Sequence, residues 1–365
     1  MTDSSHLLRW TMVAALAIPV LLLALLVLAR FGDHDAVARH VARALRWVVA
    51  VEVVACAVLA IIGAVYEKSA QQRDRQLYHP PGKLVDVGGF RLHVNCMGSG
   101  GPTVILEYGH EASYFDWHQI QPQIASFARV CYYDRAGYGW SDPSPEGRLP
   151  SVMAEELHNL LHNAGEKPPF ILAAHSYGSY ISVAFAHRFP EEVAGLVLID
   201  GLHTYSMFPF PFSEKLALRS MQLMIPFGLP RWRGWCGTSG PQSLRGERQA
   251  VMCRSSLYSA FYSEREALPQ AVPEIRAITS LGSTPLIVIA HDPAIGNMSQ
   301  DFWNAVQQQK LRLSTKSELV IAHGSGHDIP KERPDTIVAA VKKLCDQTPG
   351  TGGQPGNSVR KVLPM

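Results

Sequence analysis

A short apolar run followed by a serine decides the fold of this chain. Residues 170–178 read Phe-Ile-Leu-Ala-Ala-His-Ser-Tyr-Gly. Phe170–Ala174 has the length and apolar character of a buried strand, and a helical pattern continues from Gly178 to Arg188. A serine between a strand and a helix is typical of a nucleophile elbow, a sharp turn that lifts the hydroxyl above a sheet. We therefore predict that Ser176 is a nucleophile.

Such a turn also predicts where a developing negative charge would be stabilised. Ala174 and Gly178 are small, as the close passage of strand and helix backbones requires. The N-terminus of the following helix offers backbone N–H groups and a partial positive charge. We predict one oxyanion donor at the N–H of Tyr177. The second is predicted at the N–H of His110, in the loop after the apolar run Thr103–Leu106, with the His110 side chain as a pocket wall.

A serine nucleophile needs a base, and the base needs an acid to orient it. His327 lies in the loop after the last apolar run, and Asp292 follows the run before it. The chain order Ser176, Asp292, His327 is nucleophile, acid, base, so these three residues are the predicted triad. Asp200, which ends the run Leu196–Ile199, is the alternative acid, and its other expected role is to cap the next turn.

Alternation of short apolar runs with helical patterns predicts a mostly parallel sheet with helices on both faces. The eight predicted strands are Lys83–Val87, Phe90–Cys96, Thr103–Leu106, Val130–Tyr133, Phe170–Ala174, Leu196–Ile199, Leu286–Ala290 and Glu318–Ala322. One intervening helix is predicted to run to Ala164 with Ser151 as its N-cap.

Composition divides the chain into five parts. The predicted parts are a membrane anchor at 1–66, a linker at 67–82, a core at 83–202 and 284–345, a cap insertion at 203–283 and a disordered tail at 346–365. The cap is rich in Pro, Phe, Met and Trp, and it interrupts the strand–helix rhythm. The tail has Gly, Pro, Thr and Gln without a core pattern.

Four motifs together resemble the α/β-hydrolase superfamily. They are Val104–Leu106 with Tyr108-Gly109, the turn Tyr133–Ser141, the elbow Ala174–Gly178, and Gly326-His327. The resemblance covers residues 83–345 outside the cap and is closest to bacterial-type members with an N-terminal membrane anchor. It implies an eight-stranded sheet, a Ser–acid–His triad and no cofactor.

Two departures from the pattern of the family stand out. Tyr108 replaces the histidine of many members, and the loop Ala290-His291-Asp292 is shorter than the common form, which keeps Asp200 open as the acid. We expect the turn after Tyr133 to be structural, with Arg135 holding neighbouring carbonyls or carboxylates. The His and Asp residues form no familiar metal-ligand motif, so no metal is expected.

The N-terminal region is far more apolar than the rest of the chain. Leu7–Ala29 and Ala44–Tyr66 are each long enough to cross the ~30 Å hydrocarbon core of a bilayer as a helix. We predict two spanning helices, with the lipid bilayer as partner. One anchor plus a buried core helix, and a cleaved signal peptide, are the alternatives.

Charges and cysteines bear on the side of the membrane. Two spans put the N-terminus and the catalytic part on one side, and arginines concentrate in the connecting loop, at positions 30, 39, 43 and 46. The pairs Cys96/Cys131 and Cys236/Cys253 are spaced plausibly for disulfides, with buried free thiols as the alternative. Because disulfides would imply an oxidising compartment, we expect an extracytoplasmic catalytic part.

These features favour a serine hydrolase that cleaves a carboxylic ester through an acyl-enzyme. A net charge of +2 gives no electrostatic footprint for nucleic acid. The apolar cap suggests a lipophilic substrate, unless its residues simply pack the cap on the core; these residues are Phe208, Phe210, Phe212, Met221, Met224, Trp232 and Trp235. A peptidase or amidase with the same triad, and a low-turnover ligand-binding protein, are the alternative functions.

Overall fold

The computed structural model describes residues 35–110, 112–201, 211–237, 242–295 and 299–348. Contacts divide the chain into two compact units. The first contains described residues 35–70 with Pro226–Leu229, and the second extends from Gln71 to Ile225 and from Pro230 onward. The second unit contains the sheet and every residue of the predicted triad.

An eight-stranded mixed sheet organises the second unit. Its strands are β1 (Lys83–Asp86), β2 (Arg91–Met97), β3 (Thr103–Glu107), β4 (Val130–Asp134), β5 (Phe170–His175), β6 (Val193–Ile199), β7 (Leu286–His291) and β8 (Ser317–Ala322). The spatial order is β1-β2-β4-β3-β5-β6-β7-β8, with β2 antiparallel to both neighbours and all pairs from β4 to β8 parallel. The loops that follow the parallel strands therefore meet at one edge of the sheet.

Eleven α-helices are present in the described residues. They are α1 (Asp35–Leu77), α2 (Gln121–Ala125), α3 (Pro150–Ala164), α4 (Gly178–Arg188), α5 (Phe212–Met224), α6 (Leu229–Arg233), α7 (Arg245–Met252), α8 (Ser255–Ala277), α9 (Gln300–Leu311), α10 (Ile329–Glu332) and α11 (Pro334–Gln347).

The two faces of the sheet carry separate apolar clusters. Along β3, Ile105 belongs to one cluster, and Val104 and Leu106 belong to the other, because successive side chains of a strand point to opposite faces. Helices α3 and α4 contribute to the first cluster, and α2 and α11 contribute to the second. The predicted sheet with helices on both faces is confirmed.

All eight predicted runs are strands, but one helix start differs from its prediction. Helix α3 begins at Pro150 with Leu149 as N-cap, so the prediction of Ser151 as N-cap is wrong. Proline suits the first helical position because its missing N–H would have no intrahelical acceptor there. The backbone N–H of Ser151 donates instead to Glu274 Oε1 at 2.8 Å.

The segment between β6 and β7 forms the cap, with helices α5 to α8 in its described part. A disulfide joins Cys236 to Cys253 within this cap. A second disulfide joins Cys96 on β2 to Cys131 on β4. Both pairs that the sequence suggested are therefore bonded.

Helix α1 is longer than the predicted span Ala44–Tyr66. It continues to Leu77, so the first part of the predicted linker 67–82 is helical rather than irregular. Within the described residues, Arg39–Leu77 is the one helix that is long and apolar enough to cross a membrane, by length and composition. The first predicted span, Leu7–Ala29, lies outside the described residues, as do residues 349–365 of the predicted tail.

Candidate active site

Ser176 lies at the strand-to-helix turn that the sequence predicted. Its φ of 53° is in the left-handed region that non-glycine residues seldom occupy, and such strain is common at functional turns. The Ser176 N–H donates to Ile199 O on β6 at 2.9 Å, which ties the turn to the neighbouring strand. A Cβ on Gly178 would lie 2.6 Å from Glu107 Cγ, so only glycine fits at this position.

His327 reaches Ser176 from the loop between β8 and α10. Its Nε2 lies 3.0 Å from Ser176 Oγ, within hydrogen-bond distance. The imidazole is about half exposed, at 53% of its side-chain surface, so a substrate could approach it from solvent. The structure thus brings together two of the three predicted triad residues.

Asp200, and not Asp292, is the carboxylate against His327. Asp200 Oδ2 lies 2.6 Å from His327 Nδ1. Asp200 follows β6, which lies beside β5 in the sheet, whereas Asp292 follows β7, one strand farther from the serine. The prediction that Asp292 contacts His327 is wrong, and the alternative acid occupies that place.

Asp292 instead fastens the loop that carries His327. Its Oδ2 accepts a hydrogen bond from the Gly324 N–H and its Oδ1 accepts one from the Ala294 N–H, each at 2.9 Å. The Asp292 N–H donates in turn to Ser325 O at 2.9 Å. These backbone N–H groups lower the pKa of Asp292, because they stabilise its ionised form. The carboxylate is thus engaged with backbone on the approach to His327.

Asp200 is held by a second histidine that the sequence did not single out. Its Oδ1 lies 2.8 Å from His291 Nδ1, and its own N–H donates to Ile289 O at 2.7 Å. Asp200 is 1% exposed and has a φ of 42°, a left-handed conformation that Asp tolerates better than most residues. Both oxygens of the carboxylate therefore have an imidazole partner, which fixes the plane of the group.

His175 supports the base through its backbone. His175 Nε2 donates to His327 O at 2.9 Å, since a carbonyl oxygen can only accept. Burial and the neighbouring His327 lower the pKa of His175 to about 4, so the ring is neutral at pH 7. A neutral ring that donates through Nε2 leaves its Nδ1 unprotonated. His175 therefore positions His327 without competing for the proton of Ser176.

The loop after β3 passes directly over the serine. A Cβ on Gly109 would lie 3.0 Å from Ser176 Cβ and 3.5 Å from Ser176 Oγ. The next residue, His110, is buried, and its ring stacks on Tyr177 with centroids 3.7 Å apart. Burial and the charge of Arg135 hold the pKa of His110 well below its usual range. The side chain of His110 is thus a neutral wall, as predicted.

Arg135 holds the carbonyl groups of this loop. Its Nη1 donates to Tyr108 O at 2.7 Å, and its Nη2 donates to Gly109 O at 3.0 Å. In a planar trans peptide the N–H points opposite to the C=O, so the bond to Gly109 turns the His110 N–H away from Arg135. The N–H of Tyr177 precedes helix α4, where N–H groups have no intrahelical acceptor. Both predicted oxyanion donors thus lie beside Ser176 in the chain or in space.

Two buried carboxylates neutralise Arg135. Its Nη1 lies 2.7 Å from Glu107 Oε1, and its Nε lies 2.8 Å from Glu264 Oε1 on the cap helix α8. Burial raises the pKa of Glu107 to about 7, although Arg135 and Tyr133 oppose this shift. Burial lowers the pKa of Arg135, but the carboxylates of Glu264 and Glu107 outweigh it and hold that pKa well above its usual range. The expectation that Arg135 holds carbonyls and carboxylates is confirmed.

An open cavity of about 250 Å³ lies at Ser176. Charged residues and one methionine line it beside the catalytic groups: Asp116, Arg248, Met252, Asp328 and Lys331. The predicted apolar residues Phe212, Trp232 and Trp235 are not among the described lining residues and are 80%, 64% and 51% exposed. Phe208 and Phe210 lie outside the described residues.

Comparison with known families agrees with this fold and site. Residues 93–340 match the model of the alpha/beta hydrolase family. The chain belongs to this family. The matched region includes the serine turn, Asp200, His327 and the whole cap.

Individual relatives are distant. The uncharacterized protein YqjL of Bacillus subtilis is 24% identical over 266 residues, which cover 71% of this chain and 90% of that protein. A soluble epoxide hydrolase of Corynebacterium sp. is 27% identical over 146 residues, 40% of this chain and 50% of that one. A thermophilic esterase from Thermogutta terrifontis superposes with a TM-score of 0.56 at 20% identity, covering 73% of this chain and 98% of that chain. The structural likeness shows a shared fold.

Proposed function

We propose that this family member is a serine hydrolase that cleaves a carboxylic ester through an acyl-enzyme on Ser176. The observation that carries the proposal is the continuous contact from Ser176 Oγ to His327 Nε2 at 3.0 Å and from His327 Nδ1 to Asp200 Oδ2 at 2.6 Å. A hydroxyl, an imidazole and a buried carboxylate in this order form the arrangement that activates a serine.

The reaction follows from these contacts. His327 Nε2 takes the Ser176 proton as Oγ bonds to the ester carbonyl carbon, and the carbonyl becomes an oxyanion. The oxyanion accepts hydrogen bonds from the N–H groups of Tyr177 and His110. Collapse breaks the bond to the alcohol, which leaves with the proton from His327. Water then attacks the acyl-enzyme, His327 takes a proton from it and returns this proton to Ser176 Oγ, and the carboxylic acid departs.

The side chain at the nucleophile position argues for acyl transfer. The similarity to an epoxide hydrolase makes epoxide opening an alternative, as are a peptidase or amidase using the same triad and a low-turnover binding protein. A serine alkoxide forms a stable ester with an acyl group, which water can hydrolyse with the help of His327. An alkyl ether formed from Ser176 and an epoxide would have no comparable route to hydrolysis. Carboxylic esters are therefore the proposed substrates.

Active-site labelling tests this proposal. The full-length chain in detergent should react with a fluorophosphonate probe, and Ser176→Ala should abolish both labelling and ester turnover. Ser182→Ala, a buried serine of the same helix α4, is the matched control and should retain both. Labelling that persists in Ser176→Ala, or a wild-type chain that neither labels nor hydrolyses esters, would overturn the proposal. Turnover of an amide or epoxide panel but no ester would move it to one of the alternatives.

A lipophilic ester remains our proposed substrate class. The ester group itself fits the small, charged cavity, whereas a long acyl chain needs the apolar cap residues, of which Phe212, Trp232 and Trp235 are exposed. A p-nitrophenyl ester series from acetate to palmitate tests this class. We expect kcat/KM to rise with chain length, and a steady fall beyond acetate would point to small polar esters.

We further propose that the protein is an integral membrane protein with two spans and an extracytoplasmic catalytic unit. The apolar composition of Arg39–Leu77 and of Leu7–Ala29 supports the anchor, and the two disulfides support an oxidising compartment. Alkaline carbonate should leave the protein in the membrane fraction, and detergent should release it. Quantitative release by carbonate, or protection of the catalytic unit from protease on intact cells, would contradict the anchor or the orientation respectively.

A further inference from the structure

Two histidines and a glutamate converge at the opposite edge of the sheet from Ser176. His158 and His162 lie four residues apart on α3, and Glu192 lies in the short turn that leads into β6. His158 Nδ1 lies 3.3 Å from Glu192 Oε2, and His162 Nε2 lies 2.9 Å from Glu192 Oε1. The three ligand-type atoms of the cluster all lie within 4.8 Å of one another.

These separations suit a common metal ion. Zinc binds imidazole nitrogen and carboxylate oxygen at about 2.0–2.2 Å, so two ligand atoms at tetrahedral angles lie roughly 3.3 Å apart. Histidines at positions i and i+4 of a helix project from the same face, as in known helical zinc sites. The observed nitrogen–oxygen distances of 3.3 and 2.9 Å match this geometry without a change of backbone.

The donor atoms of His158 and Glu192 lack other partners. His158 Nδ1 and Glu192 Oε2 are buried atoms, and neither makes a hydrogen bond with any described residue. The His158 ring stacks on Phe189 with centroids 4.0 Å apart and planes 9° apart, so packing already fixes its orientation. Buried polar atoms are seldom left without a partner, and two of them aimed at one point indicate a cation between them.

We propose that His158, His162 and Glu192 bind one divalent transition-metal ion. Two imidazoles and a carboxylate suit Zn²⁺ or Co²⁺ better than Mg²⁺ or Ca²⁺, which prefer oxygen ligands. Three protein ligands leave a fourth position for water. The ion crosslinks α3 to the start of β6, whereas Asp200 follows the other end of β6, about 23 Å away along seven strand residues. The site is therefore structural, and it is independent of the proposed hydrolysis.

Metal titration of the full-length chain tests the proposal. After chelator treatment, the wild type should take up one more Zn²⁺ per chain by calorimetry than the double variant His158→Asn/His162→Asn. Co²⁺ should give visible d–d bands of tetrahedral intensity in the wild type alone. Because loss of an outer partner of a metal site already weakens binding about 10–100-fold, loss of a direct ligand should weaken it at least as much.

Two further variants complete the test. His79→Asn removes an exposed histidine outside the cluster and should bind like the wild type. Glu192→Gln keeps the size of the side chain and both imidazoles, and it should lose most of the affinity even if the double variant is poorly folded. Zn²⁺ should also raise the Tm of the wild type and of His79→Asn, but not of the cluster variants. Equal uptake by wild type and cluster variants would overturn the proposal and leave an ion-paired histidine cluster; ester turnover would be unaffected by that result.

Discussion

Arg135, in the turn after β4, and Glu264, on the cap helix α8, form a fully buried ion pair with Nε and Oε1 2.8 Å apart. The same guanidinium donates to the carbonyls of Tyr108 and Gly109 in the loop over Ser176. Glu264 also accepts a hydrogen bond from Tyr138 at 2.8 Å. The cap therefore contributes directly to the position of the oxyanion loop, through residues 129 positions apart in the chain.

Glu264→Gln tests this coupling. The substitution leaves Arg135 with one carboxylate, and breaking a buried pair by removing one partner typically costs about 3 kcal/mol or more of unfolding free energy. Because the loop loses an anchor, we also expect kcat to fall on the order of tenfold or more. Urea unfolding and ester turnover measure the two effects. Glu266→Gln, exposed on the same helix, should change neither; an unchanged kcat in folded Glu264→Gln would show that the loop does not need the cap.

Gly109→Ala probes the space above the nucleophile. The new Cβ would lie 3.0 Å from Ser176 Cβ and 3.5 Å from Oγ, so either the loop or the serine must shift by a few tenths of an ångström. Since small misplacements at a reacting centre can cost about 10²-fold in rate, we expect a large loss of kcat with little loss of stability. Gly147→Ala, where a Cβ meets nothing within 4 Å, is the matched control. Wild-type turnover by Gly109→Ala would mean that substrate does not react at this point.

His175 makes the folded protein sensitive to acid. An unfolded histidine takes up its proton near pH 6.5, whereas the buried His175 does so only near pH 4. The unfolded chain binds more protons between these values, so stability falls as the pH is lowered through this window. This contribution is on the order of 3 kcal/mol when complete.

Unfolding free energies at pH 7 and pH 4.5 measure the effect. His175→Asn should lose less stability than the wild type between these two pH values, because it has no imidazole to protonate. His187→Asn, an exposed histidine of helix α4, should behave like the wild type. The same acid loss in His175→Asn as in the wild type would assign the sensitivity to other groups.

The strands and the serine turn were predictable because they depend on local sequence. Each strand is a short apolar run, and the Ser-Tyr-Gly turn needs only the small Gly178 beside β3. The acid was not predictable, because Asp200 and Asp292 both follow strands, and chain order alone does not say which reaches His327. An Asp-Gly pair at the end of β6 was the available signal, since Asp tolerates a left-handed backbone better than most residues.

Contacts between distant residues also escaped the sequence analysis. Glu264 meets Arg135 from the far side of the cap boundary, and Glu192 lies 30 residues after His162. Neither pair has a spacing that distinguishes it from ordinary surface charges. Burial is what gives these side chains their roles, and burial depends on how α8 and the turn before β6 pack in the folded chain.

The contact between Asp200 and His327 is the centre of this account, and paired substitutions test it most directly. Asp200→Asn removes the charge that orients and stabilises the imidazolium, which commonly costs on the order of 10⁴ in turnover. Asp292→Asn weakens backbone hydrogen bonds in the His327 loop, and we expect it to lose stability but less than tenfold in kcat. The measurement is kcat for both variants against the wild type, with circular dichroism to verify folding. A folded, nearly inactive Asp200→Asn beside an active Asp292→Asn is the predicted result, and the reverse pattern would contradict the triad of Ser176, Asp200 and His327.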